Sequence, residues 1–244
     1  MPHYKRPPIK EALIDIKVEL PLDVRFEDLR AVKQYLSEYP HEETRNLGQA
    51  TIQFGPVLQT DAQQKPWALV FRNRTNNQVL QVRLDGFSFS RLEPYEDWEH
   101  LRDEAKRLWV VYRDLVRPTK ISRVAVRYVN QLDLVGERVE PEEYLNVFPQ
   151  VPTELPPKLR DFGPFLLSLR MHQPDLKGTM AINQGSTPPK SPDIVSIVLD
   201  LDLYVENPSA QTEQELWVFL EKLRERKNLY FEACITDKTR GLIS

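Results

Sequence analysis

The chain has 244 residues, enough to bury a substantial core in one large domain or two small ones. Its 41% hydrophobic and 28% charged residues are typical of a soluble globular protein, and its net charge of −3 argues against electrostatic binding of nucleic acid by the chain as a whole. A single cysteine, Cys234, cannot form an internal disulfide, which fits a reducing compartment. No apolar run is long enough to span a membrane, and none is typical of a signal peptide. We therefore expect a cytoplasmic protein with no membrane partner.

The first third of the chain reads as short elements separated by turn residues. Residues 11–20 alternate between apolar and charged side chains, which predicts a half-buried strand. Residues 26–38 carry apolar residues at helical spacing and stop at Pro40. Further strands are predicted at 50–58, 67–74, 78–84 and 86–92, with a tight turn at Asn76-Asn77 and a turn or bulge at Asp85-Gly86.

The middle of the chain carries the strongest periodic patterns. A helix is predicted between Pro94 and Pro118, because apolar residues recur there every three or four positions. It leads into residues 120–135, whose sustained alternation predicts a long central strand. We expect the two to pack together through Trp98, Leu101, Leu108, Trp109 and Tyr112 of the helix and Val124, Val126 and Tyr128 of the strand.

The last third repeats this order of elements. A short helix at 141–148 and strands at 165–172, 178–184 and 193–205 precede a final helix at 209–230, which Thr212 and Glu215 would cap. Both halves, 1–118 and 119–244, therefore read β-α-β(3-4)-α. We predict one compact α+β domain, in which two pseudo-repeated halves form a continuous, curved antiparallel sheet. The long helices would cover one face, as in a TATA-binding-protein-like saddle or a helix-grip fold.

Four segments carry a resemblance to a known family. They are Tyr4–Ala12 (YKRPPIKEA), Tyr95–Trp98 (YEDW), Arg123–Asn130 (RVAVRYVN) and Phe231–Thr236 (FEACIT). Together they resemble a sporadically distributed family of uncharacterised bacterial and archaeal proteins of about this length. The resemblance spans the whole chain and implies no particular activity. Patchy occurrence is typical of mobile or defence-associated genes, which by analogy suggests such a locus.

No familiar catalytic motif is present. The sequence has no Gly-rich phosphate loop, no cysteine pair and no clustered histidines, so we expect no cofactor. The candidates for a metal site are Asp200 and Asp202, which alternate in a strand and would project from one face. This would make the chain a metal-dependent nucleotide or nucleic-acid enzyme. The competing and favoured interpretation is that both aspartates lie on the solvent face of an amphipathic strand.

Basic side chains on the polar faces of the strands suggest a binding surface. Its predicted members are Lys17, Arg83, Arg123 and Arg127, with Gln131 and Asp133 at its margin. Cross-strand ion pairs with Asp15, Asp133 or Asp200 are the alternative use of the arginines. Asn130 falls in phase with the core and should bind backbone groups. The stretch Lys222 to Lys227 is diluted by Glu221 and Glu225 and predicts a solvated helix face.

These patterns favour a non-catalytic binding protein of a prokaryotic mobile or defence locus that acts through the polar face of its sheet. We expect a protein partner because the chain carries a net charge of −3, with nucleic acid as the alternative partner.

Overall fold

The computed structural model of the protein describes residues 4–53, 59–136, 139–156, 163–189 and 191–244. Within these ranges the chain forms a nine-stranded antiparallel sheet in a mixed α+β fold. The elements in chain order are β1 (Ile9–Glu19), a 3-10 helix (Phe26–Tyr35), β2 (His41–Gln53), β3 (Gln59–Arg72), β4 (Gln78–Arg83), β5 (Gly86–Leu92), α1 (Trp98–Val116), β6 (Lys120–Val135), a 3-10 turn (Pro141–Glu143), β7 (Leu166–Gln173), β8 (Gly178–Thr187), β9 (Ile194–Glu206), α2 (Glu213–Cys234) and α3 (Asp237–Ile243).

The strands lie side by side in the order β2-β3-β4-β5-β1-β6-β9-β8-β7. At the centre, β1 pairs antiparallel with β6, so that Ile9 lies opposite Asn130 and Glu19 opposite Lys120. This confirms that the two strongest predicted strands are neighbours. It also confirms a continuous antiparallel sheet, because the same pairing joins the strands of residues 9–92 to those of residues 120–206.

The alternation of side chains gives the sheet one apolar face, which the long helices cover. Ile14 and Ile16 of β1, like Val124 and Val126 of β6, are fully buried there. Helix α1 lies on β5 and β1, whereas α2 lies on β6 and β9. Both helices are amphipathic, and among the described helices none is long and apolar enough to cross a membrane.

The predicted packing of α1 on β6 is therefore wrong in its choice of strand. Trp109 and Tyr112 contact Phe87 of β5, with ring centroids 5.7 and 6.0 Å apart, and the Tyr112 hydroxyl donates a hydrogen bond to the carbonyl of Arg83. Each long helix covers the strands that precede it in the chain, because it follows the last of them and folds back over them. The apolar stripe predicts burial but does not specify which strand lies beneath it.

Two predicted helices are shorter or tighter than expected. The first, predicted at 26–38, is a 3-10 helix, and the second, at 141–148, is only the turn Pro141–Glu143. There the backbone carbonyl of Tyr144 accepts hydrogen bonds from Thr236 and Thr239, and Leu145 pairs with Ile235. These tertiary contacts replace the bonds of another helical turn.

Strand β2 begins at His41, well before the predicted 50–58, and residues 54–58 of that prediction lie outside the described residues. Helix α3 follows α2 and was not predicted.

The predicted turns are present but lie one or two residues earlier than expected, whereas the cap prediction is confirmed. Between β3 and β4 the Asn76 amide donates to the Asn73 carbonyl, and Asn76 then adopts the left-handed conformation with a φ of 58°. Between β4 and β5 the turn residues are Leu84 and Asp85, and Gly86 begins β5 with a φ of 156°, where an added Cβ would lie 2.5 Å from the Ile16 carbonyl oxygen. The Thr212 side chain caps α2 by accepting from the amide of Glu215, whose carboxylate accepts from the Thr212 amide.

Replacing Trp109 by alanine should lower the free energy of unfolding by about 3–5 kcal/mol, because it removes a large side chain that is 2% exposed. Denaturant unfolding followed by circular dichroism measures the loss. Val218→Ala, at a half-exposed position of α2, is the control and should change stability by less than about 0.5 kcal/mol. A loss below about 1 kcal/mol for Trp109→Ala would contradict the assigned core.

Candidate binding cleft on the polar face of the sheet

The face of the sheet opposite the helices is hollowed into a cleft of about 840 Å³. Arg45 of β2 and Arg170 of β7 both line it, although these strands form the two opposite edges of the sheet. The sheet therefore curves around the cleft, which we call the basic cleft. Its charged lining among the described residues consists of Lys17, Arg45, Arg72, Arg83, Arg123, Arg127 and Arg170 with Glu11, Asp15, Asp202 and Glu206.

This lining is positively charged on a chain whose net charge is negative. Seven cations face four carboxylates among the described residues that line the cleft, whereas the whole chain carries −3. Charges of one sign collected in a concave surface with low-dielectric walls raise the local concentration of counter-ions. The basic cleft is thus the part of the described surface suited to an anionic ligand.

The centre of the cleft is held by an aspartate that two arginines share. Asp15 Oδ1 accepts a hydrogen bond from Arg83 Nη2 at 2.7 Å, and its Oδ2 accepts from Arg123 Nη1 at 2.9 Å. Arg83 is only 5% exposed. Burial opposes its charge, but the neighbouring Asp15 carboxylate outweighs burial and raises the pKa of the guanidinium. The predicted alternative, cross-strand ion pairing of the arginines, is thus confirmed for Arg123.

Asp200 and Asp202 share one face of β9, as their spacing predicts, but each binds an arginine. Arg127 donates from Nε and Nη2 to the two oxygens of Asp200 at 2.8 and 2.9 Å. Asp202 Oδ2 accepts from Arg123 Nη2 at 3.3 Å, while its Oδ1 is buried without a donor among the described residues. Burial raises the pKa of Asp202, although nearby arginines oppose the shift.

The expectation that these aspartates face solvent is wrong for Asp200, which is 5% exposed. Arg127 and the Asn183 amide cover it, because β6 and β8 flank β9 in the sheet and both side chains project from the same face as Asp200. A metal ion at Asp200 would have to displace the bidentate Arg127. Among the described residues no three His, Cys, Asp or Glu side chains gather as a metal-ligand group.

The other predicted residues lie in two places. Lys17 lines the basic cleft, and its Nζ lies 3.7 Å from Oδ2 of Asp85. Gln131 and Asp133 lie farther along β6, where Asp133 accepts hydrogen bonds from Gln131 and from Ser196 at 2.7 Å each. Asn130 is 2% exposed and donates to the Leu199 and Tyr128 carbonyls, which confirms its predicted structural role.

Three arginines that the sequence did not single out as a group have no carboxylate partner among the described residues. Arg45 and Arg72 lie on the β2–β3 side of the cleft, and Arg170 lies on the β7 side. Arg170 donates only to Ser168, Asn183 and a backbone carbonyl. These guanidinium groups can therefore bind an anion without breaking an existing ion pair.

A β-bulge places an aromatic ring in the wall of the same cleft. Arg45 pairs with Ala68 and Asn46 with Pro66, which leaves Trp67 as the extra residue of β3. A bulge turns a side chain away from its regular direction, and Trp67 lies against the Arg83 guanidinium, 5.6 Å from the ring centroid. With 38% of its surface exposed, Trp67 is a partly open apolar wall of the basic cleft.

Comparisons with known proteins assign no family to the chain. No protein-family model matches it, and no curated protein matches it significantly. The resemblance carried by Arg123–Asn130 and the other three segments therefore stays a prediction.

Replacing Asp15 by asparagine should lower the free energy of unfolding by about 2 kcal/mol, since Arg83 and Arg123 lose their shared anion but retain their pairs with Asp85 and Asp202. Equilibrium unfolding in urea measures this loss.

Glu19→Gln is the matched control on the same strand. Its exposed ion pair with Lys120 also crosses to β6, yet it should contribute about 1 kcal/mol or less. Equal losses for the two variants would contradict a structural role for the shared carboxylate.

Proposed function

We propose that the protein is a non-catalytic binding protein that receives an acidic segment of a partner protein in the basic cleft. The observation that carries this proposal is that arginines without a carboxylate partner among the described residues lie on both sides of the cleft. We call them the uncommitted arginines: Arg45 and Arg72 on one side and Arg170 on the other. A segment that spans the cleft would pair with both sides at once. The two sides would then fix its position as well as its affinity.

The central arginines contribute less to this recognition than the sequence pattern suggested. Arg83 and Arg123 already bind Asp15, and Arg127 already binds Asp200. An acidic ligand would have to compete with these bonds. At the three uncommitted arginines each new ion pair adds attraction without that competition.

The uncharged lining of the cleft favours a peptide. Val79 lines the cleft beside Arg72, Trp67 lines it beside Arg83, and Leu13, Leu92 and Ala125 also contribute to its apolar lining. Apolar side chains of a peptide would bury against these residues while its carboxylates bind arginine.

The carboxylates in the lining argue against nucleic acid as the ligand. Glu11, Asp202 and Glu206 would repel any anion, but the repulsion is larger for a nucleic-acid strand, which carries a charge at every nucleotide, than for a peptide whose apolar side chains separate its carboxylates.

The remaining elements of the proposal concern origin and setting. The pairing of β1 with β6, with each half ending in a long helix, supports an internal structural duplication that resembles a TATA-binding-protein saddle. We propose that the protein is cytoplasmic because its single cysteine, which is free, fits a reducing compartment, and that it belongs to a prokaryotic mobile or defence locus because of the sequence resemblance.

Replacing Arg45, Arg72 and Arg170 together by glutamine should weaken binding of a labelled peptide of alternating glutamate and leucine about tenfold or more. Each lost ion pair contributes up to about 1 kcal/mol, and tenfold corresponds to about 1.4 kcal/mol. Fluorescence anisotropy at low salt measures the binding. The matched control replaces Arg74, Arg117 and Lys222 by glutamine, which removes the same charge from exposed positions outside the cleft lining.

The salt dependence separates the two partner classes. For a single-stranded oligonucleotide held by three contacts, the logarithm of affinity should fall by about two for each tenfold rise in salt. A peptide should show a shallower dependence, mostly in the association rate. Equal weakening in both triple variants contradicts the cleft as the site, and tighter binding of oligothymidylate than of peptide favours nucleic acid.

A further inference from the structure

Lys227 of α2 is a buried lysine on the helix-covered side of the sheet. The residue is 5% exposed, and its Nζ lies 3.4 Å from the centroid of the Tyr128 ring. Within the described residues no carboxylate or hydrogen-bond acceptor holds the ammonium group. The predicted solvated face of α2 is therefore wrong for this residue, which follows Leu216, Leu220 and Leu223 in the apolar stripe.

A buried ammonium without an anion is unfavourable, because the protein replaces its hydration with only the weak attraction of an aromatic face. Burial lowers the pKa of Lys227 to about 7, and the positive charge of Arg224 acts in the same direction. A methionine would fill the same space without this cost. The lysine is therefore a candidate for a role in ligand binding rather than in packing.

Lys227 lines a pocket of about 170 Å³. Its other walls include Tyr95 of the segment before α1, Trp98 at the start of α1, Tyr128 of β6, and Phe231 of α2. The Tyr95 and Tyr128 rings meet edge to face at 5.6 Å, and their hydroxyl groups lie 2.8 Å apart. Since an engineered cavity of about 150 Å³ binds benzene, this pocket suits a ligand near that size.

A second donor at the pocket also lacks an acceptor. The indole Nε1 of Trp98 is buried and has no hydrogen-bond partner among the described residues. Leaving such a donor unsatisfied costs free energy that an acceptor would recover. The pocket is therefore lined by two residues that carry a donor without an acceptor among the described residues, Lys227 and Trp98, and by aromatic rings.

The charged groups around the pocket come from the residues at the start of α1 and from α2. On the α1 side, Glu96 pairs with Arg91, Asp97 caps the helix, and Glu99 is exposed. On the α2 side lie Arg224, which is partly exposed, and Glu232, which binds Tyr4 and Arg240. Burial raises the pKa of Tyr95 and of Tyr128, so both tyrosines stay neutral at physiological pH. None of these groups serves as the anion for Lys227.

We propose that this pocket binds a small carboxylate with an apolar body, whose carboxylate pairs with Lys227 and whose body lies against the aromatic rings. The site is independent of the function proposed for the basic cleft, because the two lie on opposite faces of the sheet.

Benzoate is the probe, titrated into the full chain by calorimetry, with benzamide as its neutral isostere. Benzoate should bind with a Kd of about 1 mM or tighter and benzamide at least about tenfold more weakly. Binding at pH 8 should take up close to one proton, because Lys227 is mostly neutral in the free protein and charged beside a carboxylate. Titrations in two buffers of different ionisation enthalpy measure this uptake.

Lys227→Met should abolish benzoate binding and proton uptake, whereas Lys222→Met, at an exposed position of the same helix, should change neither. The fold of Lys227→Met is checked by its Tm. Between pH 7 and 10 the unfolded chain binds a proton at Lys227 that the folded chain does not, so wild-type stability should rise with pH relative to this variant.

Absence of benzoate binding, equal affinities for benzoate and benzamide, or unchanged binding by Lys227→Met would each overturn the proposal. Should that variant fail to fold, the wild-type measurement still decides, because benzoate binding without proton uptake excludes pairing with Lys227.

Discussion

The antiparallel pairing of β1 with β6 is the constraint on which the rest of the molecule depends. It runs from Ile9 to Glu19 and turns two groups of strands into one sheet. On one face it creates a continuous apolar surface that both long helices can cover. On the other face it brings Arg123 within hydrogen-bonding distance of Asp15, although the two residues are more than a hundred positions apart in the sequence.

The polar face shows how a concave surface can hold many charges. Where the side chains are most buried, carboxylates and guanidinium groups neutralise one another, as at Asp15 and Asp200. Toward the edges of the sheet, where water reaches the side chains, Arg45, Arg72 and Arg170 have no carboxylate partner among the described residues. Burial thus sets which charges stabilise the fold and which remain available to a ligand.

The sequence predicted the elements whose patterns are local and missed those set by distant contacts. The bounds of β6 and the role of Asn130 follow from uninterrupted alternation. Strand β2 lacks such alternation and is defined by its pairing with β3. The basic cleft depends on the curvature of the sheet, which was expected, and on the bulge at Trp67, which was not predicted although Pro66 inside β3 is typical of a bulge. Lys227 lies in phase with the apolar residues of α2, which indicates a buried position, but its charge led to the prediction that it is exposed.

The position of β1 at the centre of the sheet has a consequence for how the chain reaches its native state. Ile14 pairs with Phe89 on one side and with Val126 on the other, so the partners of β1 lie 75 and 112 residues later in the chain (89 − 14 and 126 − 14). Pairings this distant in sequence slow folding, because loop-closure entropy is lost before the contacts form. During synthesis β1 would remain unpaired until β5 has emerged from the ribosome, and its second edge would stay open until β6 has followed. Its charged residues Asp15, Lys17 and Glu19 would then also protect the nascent chain against association with other exposed strands.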